Sequence, residues 1–445
     1  MTMTPETLSV AAPSLGGPEA RPSPGGSQKR TAVVSGAIGS ALEWFDFAVY
    51  GALSATIFPV LFFSDLGAAG GLIASFATFG VGFFARPLGA LVCGHLGDKY
   101  GRRPVLLGTF VLMGVSSLAI GALPAGRGVT IAAVLVALRF LQGFSLGGEA
   151  TGAQLMILEH ARSNQRGFLG AFINIGSPLS QVLANVTLVA LSSTLSEAAF
   201  ESWGWRVPFL LSILLVVVGI FIRLRLEETP VFAEHKSAAG ESVSGLQVLR
   251  SRPWTITKLM LVRAGSNVTF YTMAVYGLNY LTTSAGFSKS HAFVIVLVAN
   301  GISVGIGLLG GFVGDRIGRR PVLVIGIVAQ LIAVVCFFPV AGTGNVLLVI
   351  LTVAVAVSGV QFEFGSQPAL YAEQFPTPMR FSGSALSLSF SQLLFSAPAP
   401  MVAAALAGTG HFWLIAAVNV GVLLISLAFV RSLRENHTAE LSEIR

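Results

Sequence analysis

Gly94-His-Leu-Gly-Asp-Lys-Tyr-Gly-Arg-Arg-Pro104 separates two long apolar runs. An apolar segment in lipid must satisfy its backbone internally, because each unpaired amide there costs several kcal/mol. A polar, glycine-marked strip between two such runs therefore reads as a short loop at a membrane face. The strip recurs as Gly311-Phe-Val-Gly-Asp-Arg-Ile-Gly-Arg-Arg-Pro321, with Gly97, Asp98, Gly101, Arg102, Arg103 and Pro104 each repeated 217 positions on. A spacing near half of a 445-residue chain marks two related halves. A second repeat agrees: Glu149, Glu159 and Arg166 return as Glu363, Glu373 and Arg380, offset by 214.

The composition belongs to a membrane protein. Hydrophobic residues make up 53% of the chain and charged ones 11%, with a mean hydropathy of +0.78. Soluble domains carry about 25% charged residues. The 51 glycines suit close helix packing in lipid. Cys93 and Cys336 fall at apolar segments, so no disulfide framework is implied. The net charge of +7 reads as loop Lys and Arg rather than as a nucleic-acid surface.

Twelve apolar segments are long enough to span, at roughly 20 residues each. They cover 32–62, 70–94, 104–123, 129–157, 167–193, 205–226, 255–282, 290–312, 321–341, 345–370, 380–406 and 410–431. They predict an all-α integral membrane protein of two six-helix halves. The domains are a disordered tail over 1–30, a first half over 31–226, a linker over 227–254, a second half over 255–432 and a tail over 433–445. The first tail is rich in Pro, Gly and Ser and lacks the apolar core of a cleavable leader. Of the 27 Lys and Arg, only Arg127, Arg206 and Lys289 fall on one side, and Arg86, Arg139 and Arg263 lie inside spans. All the others fall on the side of the termini, which the positive-inside rule makes cytoplasmic.

Ionisable residues inside a membrane are costly and persist where they face a wet cavity or a partner. Glu43 and Asp46 lie three apart on one face of span 1, roughly 18 to 23 Å deep at ~1.5 Å per residue. They are candidate proton carriers. Arg139 lies at similar depth in span 4, and Val353 stands at its repeat position. Arg263, Asn267, Tyr271 and Tyr276 form a polar stripe on span 7, with Arg263 suited to anchor a carboxylate. Arg86, Tyr50 and Gln361 complete the candidate substrate site. Asp98, Arg102, Arg103, Glu159, Asp315, Arg319, Arg320 and Glu373 are read as a cytoplasmic gate. Glu373 and Glu159 would pair with the loop arginines, and the two aspartates would sit near helix N-termini, which favour an anion. Glu149 and Glu363 suit either a proton site or a shared structural role. Gly305-x-Gly307-x-x-Gly310 matches a dinucleotide fingerprint but lies within a span, where close packing explains it. Asn185-Val-Thr187 and Asn267-Val-Thr269 match glycosylation acceptors yet also fall inside spans. The sequence offers no metal cluster and no nucleotide loop, so no cofactor is expected and a gradient supplies the energy.

The paired loops, with Glu43-Trp-Phe-Asp-Phe47, Tyr50-Gly51, Arg86-Pro-Leu-Gly89, Arg139-x-x-Gln142-Gly143, Ser202-Trp-Gly-Trp-Arg-Val-Pro-Phe209 and Ala372-Glu-Gln-Phe-Pro-Thr377, resemble the metabolite:proton symporter family of the major facilitator superfamily. The resemblance covers about residues 31 to 434. It implies alternating access, with import of a small organic acid (shikimate-like, dicarboxylate or tricarboxylate) together with protons. It also implies that Asp46 pairs with Arg139, as in sugar-type proton symporters. The alternatives are a zwitterion such as betaine or proline, or a non-transporting nutrient sensor. No nucleophile–base pair suggests an enzyme. The expected partners are the solute, protons and lipid, without nucleic acid. The expected form is a monomer in the plasma membrane.

Overall fold

The computed structural model describes residues 44–100, 102–126, 128–147, 161–225 and 245–444, together with Ala41 and Leu158. Glu43, Glu149, Glu159, the first tail and most of the 227–254 linker lie outside these residues, as do the side chains of Asp98, Arg102 and Arg103.

The protein is an all-α, twelve-span membrane bundle of two pseudo-symmetric halves, and no strand occurs among the described residues. Span 1 is helical over 44–56 and, after a break at Ile57, over Phe58–Phe62. Spans 2 to 4 are Gly67–Tyr100, Arg102–Ala122 and Val129–Leu146. Span 5 runs as Arg166–Asn174 and Gly176–Thr194, and span 6 is Val207–Arg225. Span 7 runs from Pro253 to Thr283 and span 11 from Thr377 to Ala407. The remaining spans are Lys289–Ile317, Arg319–Ala341, Val346–Ala372 and Trp413–Val430. Eight helices among the described residues are long and apolar enough to cross a bilayer. Spans 1, 3, 6 and 7 make up the twelve. Span 1 begins outside the described residues, the apolar parts of spans 3 and 6 are the shorter Leu107–Ala122 and Gly204–Leu214, and span 7 is rich in uncharged polar residues such as Asn267, Thr269, Thr272 and Asn279.

The quoted strips are less loop than their polarity suggests. Span 8 stays helical through Asp315 to Ile317, and span 9 restarts at Arg319. A helix satisfies its own backbone, so the reversal is left to Gly318, whose φ of 96° lies where a side chain is strained. Within each half, alternate spans touch backbone to backbone. A Cβ on Gly89 would lie 1.9 Å from the Phe144 carbonyl, and one on Gly310 would lie 2.0 Å from that of Phe362. Gly307 and Gly310 thus pack span 8 against span 10, whereas a Cβ on Gly305 would meet nothing within 4 Å.

Two π turns interrupt the second half, at Thr272–Tyr276 in span 7 and Gln392–Ser396 in span 11. Pro398 and Pro400 have no N–H to donate. The helix before them widens, and Ala397 N–H bonds back to the Gln392 carbonyl at 3.0 Å. Residues 245–251 of the predicted linker form a short helix whose Val248 is fully buried.

Candidate functional site

A cavity of about 40 Å³ lies between the halves. That is room for a few waters, since one needs roughly 10–15 Å³. Its wall takes side chains from spans 1, 2, 5, 7, 10 and 11. Arg263, Asn267 and Tyr271 face it together because steps of four keep residues on one side of a helix. The Arg263 guanidinium lies 4.5 Å from the Phe364 ring centre. Its Nε and Nη1 are buried without a hydrogen-bond partner. Asn267 Nδ2 donates to Ser391 Oγ at 3.0 Å. Gln361 lies on the same wall.

Two predicted substrate residues lie elsewhere, and a third acts indirectly. Tyr50 does not line the cavity: its hydroxyl shares a 2.7 Å hydrogen bond with Thr78, and its ring lies 4.3 Å from the Arg139 guanidinium carbon. Tyr276 sits fully buried inside the π turn, off the stripe. Arg86 stands behind the wall, where Nη1 donates to Gln392 Oε1 at 2.8 Å and its guanidinium covers Trp44 and Phe47. Gln392 and Trp44 do line the cavity, as do Gln181 and Asn185. None of the four is among the residues that the sequence assigns to the substrate site. Asn185 stands out in the sequence only within a glycosylation motif. Uncharged amides inside apolar spans were the signal available.

The expected ion pair between Asp46 and Arg139 is replaced by a relay. Both residues are buried. Arg139 Nη1 donates to Gln142 Oε1 at 3.0 Å, and Gln142 Nε2 donates to Ser117 Oγ at 2.6 Å. Ser117 and Ser212 donate to the two Asp46 carboxylate oxygens. Gln142 lies three residues after Arg139 on the same helix face and intercepts its guanidinium. Aromatic faces of span 1 hold the guanidinium instead, with Phe47 at 3.7 Å. Glu43 lies outside the described residues.

One membrane face carries the arginine-rich loops and is called here the basic face. There the halves are in contact. Asp315 accepts from the backbone N–H groups of Gly167 at 2.7 Å and Phe168 at 2.9 Å, capping the start of span 5 from the other half. Arg319 holds Asp315 at 2.8 Å and Glu373 at 2.9 Å. Arg166, not predicted here, reaches Glu373 at 3.6 Å across the halves. Arg320 does not join this cluster; it donates to the Arg431 carbonyl at 3.2 Å. Residues of the predicted second tail close over the cluster. Glu435 accepts from the N–H groups of Arg319 and Arg320, both at 2.9 Å. The Ala439 carbonyl accepts from Arg166 at 2.8 Å, and that of Leu441 from Arg380 at 2.7 Å. Leu441 packs on Leu158, Ala369 and Ala372. On the far face, Lys289 bridges to Glu197 at 2.8 Å and Glu201 at 2.7 Å, and Asn279 donates to the Ala55 carbonyl at 2.9 Å. The carboxyl of Glu197 is held below its usual range by the hydrogen bond and charge of Lys289.

Closure of the basic face needs a bare backbone at Gly311. A Cβ there would stand 2.4 Å from the Gly167 carbonyl. Gly311→Val is expected to hold this face open and cut turnover about tenfold or more, at the ~1–3 kcal/mol typical of overpacking. Solute binding should persist. Normal turnover in reconstituted vesicles would take this contact out of the transport cycle.

Opposed helical halves with a shut face on either side of a central polar cavity are the build of a membrane carrier. Residues 37–400 match the family model of the Major Facilitator Superfamily. The chain belongs to that superfamily, as a metabolite transporter and not an enzyme. It is 33% identical over 422 residues to the inner membrane metabolite transport protein YhjE of Escherichia coli (strain K12), covering 92% of this chain and 95% of that one. It is 31% identical to the shikimate transporter of the same organism, covering 86% and 90%. It is 34% identical to that organism's proline/betaine transporter, covering 82% and 75%. In fold it is similar to the proton:xylose symporter XylE bound to a bromodeoxyglucose, with a TM-score of 0.74, 16% identity and coverage of 94% and 98%.

Proposed function

We propose that this transporter imports a small organic anion with protons by alternating access. Arg263 carries the reading: it lines the cavity with two buried N–H donors that no protein group satisfies. A guanidinium holds a carboxylate through two parallel hydrogen bonds. A quaternary ammonium is held by bare aromatic faces. Here the protein's own guanidiniums cover Trp44, Phe47 and Phe364. No Asp or Glu is among the described residues of the wall, so nothing there would balance a substrate cation. Asp46 is the proton carrier in this reading, with Arg139 acting on it through Gln142 and Ser117.

Reconstituted vesicles offered shikimate, 2-oxoglutarate, citrate, proline and betaine, with and without an inward pH gradient, test the proposal. Accumulation of an acid only under the gradient is expected. Uptake of betaine that none of the acids inhibits would replace the anion with a zwitterion, the solute named for two relatives of this chain.

The halves over 31–226 and 255–432 would rock about the cavity in a single monomer, joined by the 227–254 linker. The basic face would lie in the cytoplasm with both tails, in the inner membrane named for one relative. A cysteine at Ser242, with Cys93 and Cys336 replaced by Ser, is then expected to escape an impermeant thiol reagent in intact cells and to react in inverted vesicles. Ready labelling of intact cells would reverse the orientation.

A further inference from the structure

Glu363 in span 10 is a buried carboxylate that the transport scheme above does not use. It is 1% exposed. Both its oxygens are held by neutral groups: Ser266 Oγ donates to Oε2 at 2.6 Å, and Gln330 Nε2 donates to Oε1. Glu373, ten residues on at the C-cap of the same helix and equally buried, is held by Arg319 and Arg166. Glu363 takes part in no ion pair of that kind among the described residues.

The surroundings of Glu363 are ready for either protonation state. The Ser266 hydroxyl can turn and accept a hydrogen bond rather than donate one. Gln330 Oε1 is buried without a hydrogen-bond partner. Rotating that amide would present an acceptor to a protonated Glu363, and the two amide orientations are nearly indistinguishable in outline. An acceptor left idle beside a carboxylate that holds no proton becomes useful once it holds one.

The charged groups around Glu363 are few. Span 7 brings Arg263, one turn before Ser266, and Arg263 and Glu363 interact electrostatically. Span 10 itself brings Tyr371, whose hydroxyl donates to the Leu259 carbonyl at 3.3 Å. Span 9 brings the neutral Gln330. Span 8 has His291, Lys289, Asp315 and Arg316 only toward its ends. With the site empty, Arg263 and Glu363 balance each other. A carboxylate seated on Arg263 adds a second negative charge beside Glu363 in a low-dielectric setting, where two nearby carboxylates do not both stay ionised.

We infer that Glu363 takes up a proton from water when an organic anion binds Arg263, so that the anion is carried with its charge neutralised. This inference rests on the anion reading above and adds a proton site distinct from Asp46. In the step, an O–H bond of a hydronium ion or buffer acid breaks, its proton bonds to a Glu363 carboxylate oxygen, and water or the buffer's conjugate base is left in solution.

The test uses the purified full chain in weakly buffered detergent with a pH indicator. Shikimate, 2-oxoglutarate and citrate serve as probe acids. Wild type is expected to take up protons as an acid binds. Glu363→Gln should still bind it, because Gln fills the same space and keeps a carbonyl toward Ser266, but should take up one proton fewer for each acid bound. Binding with undiminished proton uptake in Glu363→Gln would overturn this inference alone. If wild type bound none of the acids, the anion reading would fall, and this inference with it. Should Glu363→Gln not fold, infrared difference spectra of Asp46→Asn decide. A protonated-carboxyl C=O band that rises on acid binding supports Glu363 as the acceptor, and its absence overturns it.

Discussion

Asp46→Asn is expected to lower uphill solute accumulation about tenfold for each unit of imposed pH gradient. One proton moved down one pH unit is worth about 1.4 kcal/mol, or a factor of ten in the concentration ratio it can sustain. The amide has the size of the carboxylate. Ser117 or Ser212 can reverse its hydroxyl to meet the new N–H₂, so the packing around span 1 should survive. What is lost is the ability to pick up and release a proton. Exchange between equal pools, which needs no gradient, should therefore continue. Undiminished accumulation under a pH gradient would remove Asp46 as a carrier and leave Glu43 as the next candidate in span 1. Asp46→Asn combined with Glu363→Gln should leave only downhill movement.

Arg263→Ala is expected to weaken solute binding by about 2 to 4 kcal/mol, thirtyfold or more. The loss has two parts. The carboxylate loses its forked donor, and the Phe364 ring loses the cation above it. Arg263→Lys separates them, since it keeps a charge but not the fork, and it should fall between wild type and Ala. The measurement is competition for solute binding in detergent, where transport does not enter. Unchanged affinity in Arg263→Ala would retire it as the anchor.

The parts legible in sequence were those where a rare residue stood in a common background. Charges and loop glycines are conspicuous in so apolar a chain, so the offsets of 217 and 214 exposed the two halves. Arg263, Asn267 and Tyr271 were legible because spacing along one helix fixes which residues share a side. Relations between helices were not. Asp46 and Arg139 stand at matched depths, yet depth does not give rotation about each helix axis, and Gln142 came between them. Ser117 and Ser212 were silent because most serines in these spans simply bond a carbonyl one turn back, as Ser54 does to Gly51 and Ser116 to Leu112. The residues beyond span 12 looked like a solvated tail, since Glu435, Asn436 and Glu440 have no apolar pattern. Their partners are backbone groups and buried arginines set by the fold.

Arg166 gives the order of synthesis a role in when the carrier can be sealed. Its guanidinium is fully buried, yet the Ala439 carbonyl that receives it is 273 residues further along the chain. At ~5–20 residues per second a ribosome needs roughly 15 to 55 seconds to cover that distance. For that interval the first six helices hold a cation without Glu373 or the Ala439 carbonyl to receive it. A newborn first half therefore cannot seal its arginine-rich side before its sister has been made. The same holds for a first half expressed alone, whose Arg166 would lack both Glu373 and the Ala439 carbonyl.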